Sequence, residues 1–207
     1  MWVRPGTMDA VTLWDVVRNG FHLPPQPIDC RTIVSLGANA GYTTAHYACT
    51  YPRARIVAVE MDSDNARLCE RNTEFARDRV AIVNAAIWSH DGSIEYQGAD
   101  VHDLRIAAFE GAAAPPPSAQ ARQSRAIVIG TLFAEHRLGH VDFLKMDIEG
   151  AESAVFAGNL DWLTNVHSIL IEVHPPATRE MCQTVLERAG FRVSHFQFDH
   201  EAVFGLR

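Results

Sequence analysis

The sequence lacks most of what would tie it to a membrane, an oxidising compartment or a nucleic acid. Its four cysteines, Cys30, Cys49, Cys69 and Cys182, are scattered with no C-x-x-C pair. Neither a zinc site nor a disulfide framework is indicated, and reduced thiols in a cytoplasmic protein fit best. No apolar run approaches the roughly 18 residues that a membrane span needs. Residues 1–23 interrupt their apolar positions with Arg4, Asp9, Asp15 and Arg18, which leaves no signal-peptide core. Basic residues are outnumbered, 18 against 25 acidic, for a formal charge of -7. Affinity for phosphate backbones comes mainly from Lys and Arg, so no nucleic-acid partner is expected. Internal repeats are absent.

What is present is an ordinary globular composition, 47% apolar and 21% charged over 207 residues, a length that favours a single domain. Ala10, Leu13, Trp14 and Val17 fall at i, i+3, i+4 and i+7, so residues 8–19 are predicted to form an amphipathic helix ended by Asn19-Gly20. The Pro24-Pro25-Gln26-Pro27 stretch makes residues 1–29 a helical segment and linker, placed to pack on the domain, lid a site or meet a partner subunit. The core is then 30–207.

From residue 32 the pattern alternates. Strands are predicted at 32–36, 56–60, 80–84, 141–146 and 168–173, with helices at 41–51, 63–78, 151–157 and 178–189 between or after them. Ser63 is positioned to cap the second of these helices, with Leu68, Cys69, Asn72, Phe75 and Ala76 near one face. In the middle, 86–89 and 93–97 flank His90-Asp91-Gly92, which predicts a hairpin. The small, Pro-rich run 111–123 predicts a mobile loop near 107–124, followed by a short strand at 126–129. Two final strands, 192–198 and 202–206, joined by Asp199-His200-Glu201, insert an antiparallel strand into a parallel sheet. These elements predict a three-layer, Rossmann-like α/β fold of about seven mostly parallel strands, the C-terminal one antiparallel.

The most informative segment is Val34-Ser35-Leu36-Gly37-Ala38-Asn39-Ala40-Gly41-Tyr42-Thr43-Thr44, where the first strand turns into the first core helix. Gly37 permits the tight turn, and Gly41 lets a ligand approach the helix start. A dinucleotide fingerprint would need glycines in place of Asn39 and Tyr42, and no G-K-[ST] follows, so NAD and P-loop readings are set aside. The second strand ends at Glu60, a carboxylate placed to accept both hydroxyl protons of a ribose. The competing reading is a Glu that caps the helix beside Ser63. A glycine turn plus an acidic strand end, without diphosphate features, points to a nucleoside without phosphates, of which S-adenosylmethionine is the common one.

VSLGANAGYTT, AVEMD, VNAAI with its D-G turn, VDFLKMDIEGAE and ILIEVH, in this order, resemble the FkbM family of methyltransferases over roughly residues 30–175. The resemblance implies a class I methyltransferase fold, S-adenosylmethionine as methyl donor, and a hydroxyl acceptor on a sugar, glycolipid, polyketide or other small molecule. By motif position it implies that Gly37, Ala38, Asn39 and Gly41 line the methionine and ribose part of the donor. Tyr42 and Thr43, at a helix start, are placed to reach its carboxylate. Glu60 is assigned to the ribose hydroxyls, Met61 to adenine, and Asn84 and Ala85 to its other side.

On the acceptor side, Lys145, Asp147 and Glu149 alternate along the end of one strand, and Glu172 and His174 end the next. Lys145 is expected to form an internal ion pair rather than act in catalysis. His174 is the first candidate for a general base because imidazole titrates near neutral pH, with Glu172, Asp147 and Glu149 orienting it or sharing the role. The same Asp147, Glu149, Glu172 and His174 can supply ligands to magnesium, but no dedicated metal spacing occurs and no metal is predicted. The Asp100-Val101-His102-Asp103 group and the His195 and His200 pair are expected to be chance placements among ten histidines. The functional expectation is O-methylation. The alternatives are N-methylation of an amine or peptide, and a non-catalytic S-adenosylmethionine-binding or assembly module. Little chain remains to enclose an acceptor, which favours an open cleft or one completed by a second subunit of a homo-oligomer.

Overall fold

Strands that are apolar on both faces must be covered on both. Along 32–36, Ile33 packs with Tyr47, Ile56 and Phe143, whereas Val34 and Leu36 pack with Val57, Leu144 and Leu186 in a separate cluster. A computed structural model describes residues 1–97, 105–106, 122–195 and 202–207 and shows how both faces are filled.

The strands in chain order are β1 (Thr32–Leu36), β2 (Arg55–Glu60), β3 (Val80–Asn84), β4 (Ala86–Ile87), β5 (Gly92–Gln97), β6 (Arg105–Ile106), β7 (Arg122–Ile127), β8 (Val141–Met146), β9 (Val166–Glu172), β10 (Arg192–His195) and β11 (Ala202–Leu206). The helices are α1 (Asp9–Asn19), α2 (Tyr42–Thr50), α3 (Ser63–Thr73), α4 (Ile129–Glu135), α5 (Glu152–Phe156) and α6 (Arg179–Arg188). The main sheet has the order β10-β11-β9-β8-β1-β2-β3. Its inner pairs are parallel, while β11 runs antiparallel to both β9 and β10. Side chains of α4, α5 and α6 close one face and α2 closes the other, giving the three layers and seven strands predicted.

Several local expectations change. The helix after β2 is capped by Asp62, not Ser63: Asp62 Oδ1 accepts from the backbone N–H groups of Asp64 and Asn65, each at 2.9 Å. Asp62 wins because its other oxygen is also used, accepting from Tyr96 Oη at 3.0 Å and pairing with Arg122, which anchors it in the buried space between the two sheets. α3 ends at Thr73 in a 3-10 turn, and Phe75 points outward, 60% exposed. The predicted hairpin at 90–92 does not form. β4 and β5 instead pair on either side of β7, in a second sheet of order β4-β7-β5-β6. Asp91 explains the change, because its carboxylate accepts from Val128 N and Thr131 Oγ1 at 2.8 and 2.7 Å and starts α4. That helix was not predicted: its sequence carries no cap of its own, and the cap comes from 37 residues away.

Residues 122–124, placed in the Pro-rich loop from sequence, belong to β7, which also replaces the predicted strand at 126–129. Residues 107–121, Asp100 to Asp103, and Asp199-His200-Glu201 lie outside the described residues. The face of α1 is also different from that expected. Asp9 and Val16 are buried, with Leu13 beside them, while Trp14 and Val17 are 65% and 64% exposed. The inward turn is set by Arg4, whose guanidinium holds the buried Asp9 carboxylate at 2.8 Å. The four cysteines are unpaired. Among the described residues no helix is long and apolar enough to cross a membrane.

Replacing Asp62 tests the link between the sheets. Asp62→Ala removes a helix cap and leaves the buried Tyr96 hydroxyl without its acceptor, and should cost about 1–3 kcal/mol. Urea unfolding of the variant checks this; a loss below about 0.5 kcal/mol would show that the cap and its partners contribute nothing net.

Candidate active site

The main sheet reverses direction between β1 and β8. From β1 the chain runs outward to β2 and β3, and from β8 it runs the other way to β9 and β11. Loops leaving the two carboxyl ends therefore diverge and open a crevice, the usual ligand position in such sheets. Leu36 pairs with Met146, and Asp147 N donates to Leu36 O at 3.0 Å, so the two loops start side by side. Gly37 N and Ala38 N both donate to Val59 O, at 3.0 and 2.9 Å, and draw the glycine turn toward β2.

The crevice is open to solvent, and its empty space, counted out through the mouth, is about 590 Å³. Its walls contain Gly37, Asn39, Glu60, Met61 and Ala85 from the predicted donor set, and Asp147 and Glu149 from the acceptor set. Val59, Asn65, Ala86, Ile87, Ile148 and Ala151 also line it and were not singled out from sequence. Ala38, Gly41, Tyr42, Thr43 and Asn84 do not. A Cβ on Gly41 would sit 2.6 Å from Cys69 Sγ, so this glycine serves the contact between α2 and α3 rather than the approach of a ligand. Tyr42 is buried with its hydroxyl donating to Trp2 O at 3.0 Å. Asn84 Nδ2 donates to the carbonyls of Glu60 and Met61 at 2.8 and 3.0 Å and fixes the loop after β2.

Glu60 is 6% exposed. It does not cap α3: Oε1 accepts from Asp62 N and Oε2 from Asn39 N, both at 2.8 Å. Burial dominates these bonds and pushes its pKa up to about 7. Its carboxyl also hydrogen-bonds Asn65, whose Oδ1 accepts from Arg4 Nη1 at 2.6 Å, so the N-terminal segment reaches this wall through one side chain.

At the opposite wall the acceptor residues do come together. His174 Nε2 lies 4.0 Å from Asp147 Oδ1 and 3.8 Å from both Glu149 Oε2 and Glu172 Oε1. Lys145 is buried and paired with Asp147, as expected from sequence, and although burial opposes it the surrounding carboxylates raise its pKa. Glu149 and Gly150 follow with φ of 52° and 96°, a left-handed turn that aims Glu149 back at the group. Asp147, Glu149 and His174 each place a donor atom within 4.8 Å of the others, a spacing that suits a metal ion only when the imidazole is neutral.

Glu152 was missed. It is fully buried at the start of α5, where Oε1 accepts from Ile148 N at 3.2 Å and meets His174 Nδ1 at 3.3 Å. The signal was in the sequence: Glu152 closes the D-I-E-G-A-E block, three residues after Glu149, one turn away once the chain bends. Its bond to His174, with the charges of Asp147 and Glu149, raises the imidazole pKa to about 9. The ring therefore does not titrate near neutral pH, as read from its type, and is an imidazolium at pH 7.

Comparison with known proteins agrees with this geometry. Residues 35–193 match the methyltransferase FkbM domain, and the chain belongs to that family of methyltransferases. It is 25% identical over 159 residues to the 2-O-methyltransferase NoeI of Sinorhizobium fredii (strain NBRC 101917 / NGR234), a match covering 72% of this chain and 63% of that protein. The chain thus spans less than two thirds of the relative's length. Among solved structures it resembles the fibrillarin of Aeropyrum pernix with natively bound S-adenosyl-L-methionine, at TM-score 0.51 and 15% identity, covering 93% of this chain and 76% of that one. A precorrin-6y C5,15-methyltransferase from Geobacter metallireducens GS-15 is similar at TM-score 0.50 and 14% identity, over 96% and 87% of the two chains. The fold is that of class I methyltransferases.

Glu152→Gln keeps an acceptor for Ile148 N but removes the charge on His174. The imidazole pKa, read by NMR titration, should fall from about 9 toward its ordinary 6.5. A folded-state pKa above the unfolded one stabilises the protein below pH 6.5, and this contribution fades as pH rises through 9. The native chain should therefore lose more unfolding free energy between pH 6.5 and 9 than the variant does; parallel curves would remove Glu152 as the cause.

Proposed function

We propose that this methyltransferase moves the methyl group of S-adenosylmethionine to a hydroxyl oxygen of a sugar or other small molecule, in the cytoplasm. The observation that carries the reading is the placement of buried Glu60 at one wall of a crevice whose other wall carries Asp147 and Glu149, with His174 and Glu172 grouped behind them. An acidic strand end beside a glycine turn suits a ribose. The residues fit the donor: Glu60 has its two oxygens held by backbone N–H groups and aimed along the wall, and Val59, Met61, Ala85 and Ile87 supply the apolar lining an adenine needs. When bound, the donor supplies an electrophilic methyl for in-line displacement. Oxygen rather than nitrogen as acceptor is supported by the relative, a 2-O-methyltransferase.

The residues of the second wall then position the acceptor and take its proton. Asp147 and Glu149, which face the crevice, accept hydrogen bonds from the incoming hydroxyl and receive its proton as the carbon–oxygen bond forms. His174, held as an imidazolium by Glu152, keeps the carboxylates together and ionised. Holding the reacting atoms in line supplies most of the acceleration, and the proton acceptor adds about 100- to 10,000-fold.

Two measurements test this. S-adenosylhomocysteine at hundredfold excess over its dissociation constant should stabilise the chain by about 2.7 kcal/mol, and Glu60→Ala should abolish the shift. Affinity should also rise as Glu60 ionises with a pKa of about 7, by about tenfold between pH 6 and pH 8. No binding at either pH would sink the donor assignment. With an acceptor in hand, found by release of S-adenosylhomocysteine across a panel of glycosides, turnover should be level from pH 7 to 8 and decline above pH 9. A rate that instead climbs through pH 9 would make neutral His174 the base.

A further inference from the structure

Among the described residues, every exposed large apolar side chain except Phe75 lies within the first 21 residues. On α1, Val11, Trp14 and Val17 recur at three-residue spacing on the side away from the domain, with Phe21 just beyond the helix end. Val16 and Asp9 face inward. Taking about 150–250 Å² for a large side chain, Val11, Trp14, Val17 and Phe21 expose roughly 400 Å² of apolar surface, and Met1, Trp2, Val3 and Met8 roughly as much again. A standard interface buries about 800 Å² from each partner.

The segment is not a loose tail. Trp2 exchanges hydrogen bonds with Asn72, its carbonyl accepts from Tyr42 Oη, and its ring lies under the Arg71 guanidinium at 4.2 Å. Arg4 holds buried Asp9 and Asn65. These ties present a rigid face, the kind that associates with little ordering cost. Its charges are balanced. Arg18 sits at the edge of the apolar stripe and Asp15 one step further round on the same flank, both exposed.

We propose that this face is the interface with a second copy of the chain, formed by packing α1 against its twofold mate in antiparallel fashion. In such a pair like flanks meet, so Asp15 of each copy faces Arg18 of the other, twice by symmetry. Trp14, near the middle of the helix, lies close to the axis, where interfaces concentrate their binding energy. An anionic membrane is a poorer match: Arg18 is accompanied by Asp15, and the chain as a whole carries a charge of -7. The same segment reaches Glu60 through Arg4 and Asn65, so the interface braces one wall of the crevice.

Sedimentation velocity and light scattering of the full chain from 1 to 100 μM test the proposal. The native chain should have twice the monomer mass at the upper end. Trp14→Glu should be monomeric throughout with an unchanged circular dichroism spectrum, and it should lose the rise in melting temperature with concentration that the native dimer shows. Asp15→Arg and Arg18→Asp should each weaken dimerisation about fivefold, and the double variant should restore it. A native chain that stays monomeric at 100 μM, or a dimer indifferent to Trp14→Glu, overturns the interface. Failure of the double variant to recover overturns the antiparallel arrangement. Co-sedimentation of a monomer with phosphatidylglycerol-containing vesicles, lost in Trp14→Glu, would assign the face to a membrane instead.

Discussion

A Cβ at position 37 would lie 1.7 Å from the carbonyl oxygen of Asp147. That close approach, with a φ of 80° at Gly37, ties the first loop of the sheet to the loop that carries Asp147 and Glu149. Only glycine allows both the turn and the contact. Everything else in the site is placed relative to this crossing: Asn39 N turns to Glu60, Asp147 leaves β8 beside Gly37, and the left-handed Glu149 and Gly150 bring the chain round to His174. A substitution here would separate the two walls even if every site residue remained.

The two walls use burial in opposite ways. At Glu60 burial outweighs two backbone N–H donors, and the carboxyl is left near neutrality, ready to gain from a ligand that donates hydrogen bonds. At His174 the hydrogen bond the ring donates to Glu152 and the nearby carboxylates outweigh burial, and the ring is held charged. One wall therefore has an acid that burial holds near half-ionisation at neutral pH. The other has a cation surrounded by carboxylates, which suits hydroxyl groups that donate to oxygen.

The parallel sheet and most of its strands were legible because short apolar, β-branched runs between helices can be buried only under helical layers, and the strand ends at Gly37 and Glu60 both border the crevice. Asp62, Asp91 and Glu152 show why the rest was not. Each is an acidic residue whose partners come from elsewhere in the fold, so local spacing assigns the cap to Ser63, a hairpin to Asp91 and no role to Glu152. The same holds for α1. Its helical period was plain, but the apolar face read from Ala10, Leu13, Trp14 and Val17 is not the one that turns inward, because Arg4 and the buried Asp9 fix the direction.

By itself, then, the sequence determined the class of fold, the methyltransferase family and the strand ends that carry the candidate residues, since these rest on periodicity and on motifs within a few residues. The tertiary structure alone decided which predicted donor residues reach the crevice, the second sheet around β7, the outward face of α1 and the charge of His174. Those properties depend on desolvation and on partners up to dozens of residues distant, and neither is encoded in any short stretch of the chain.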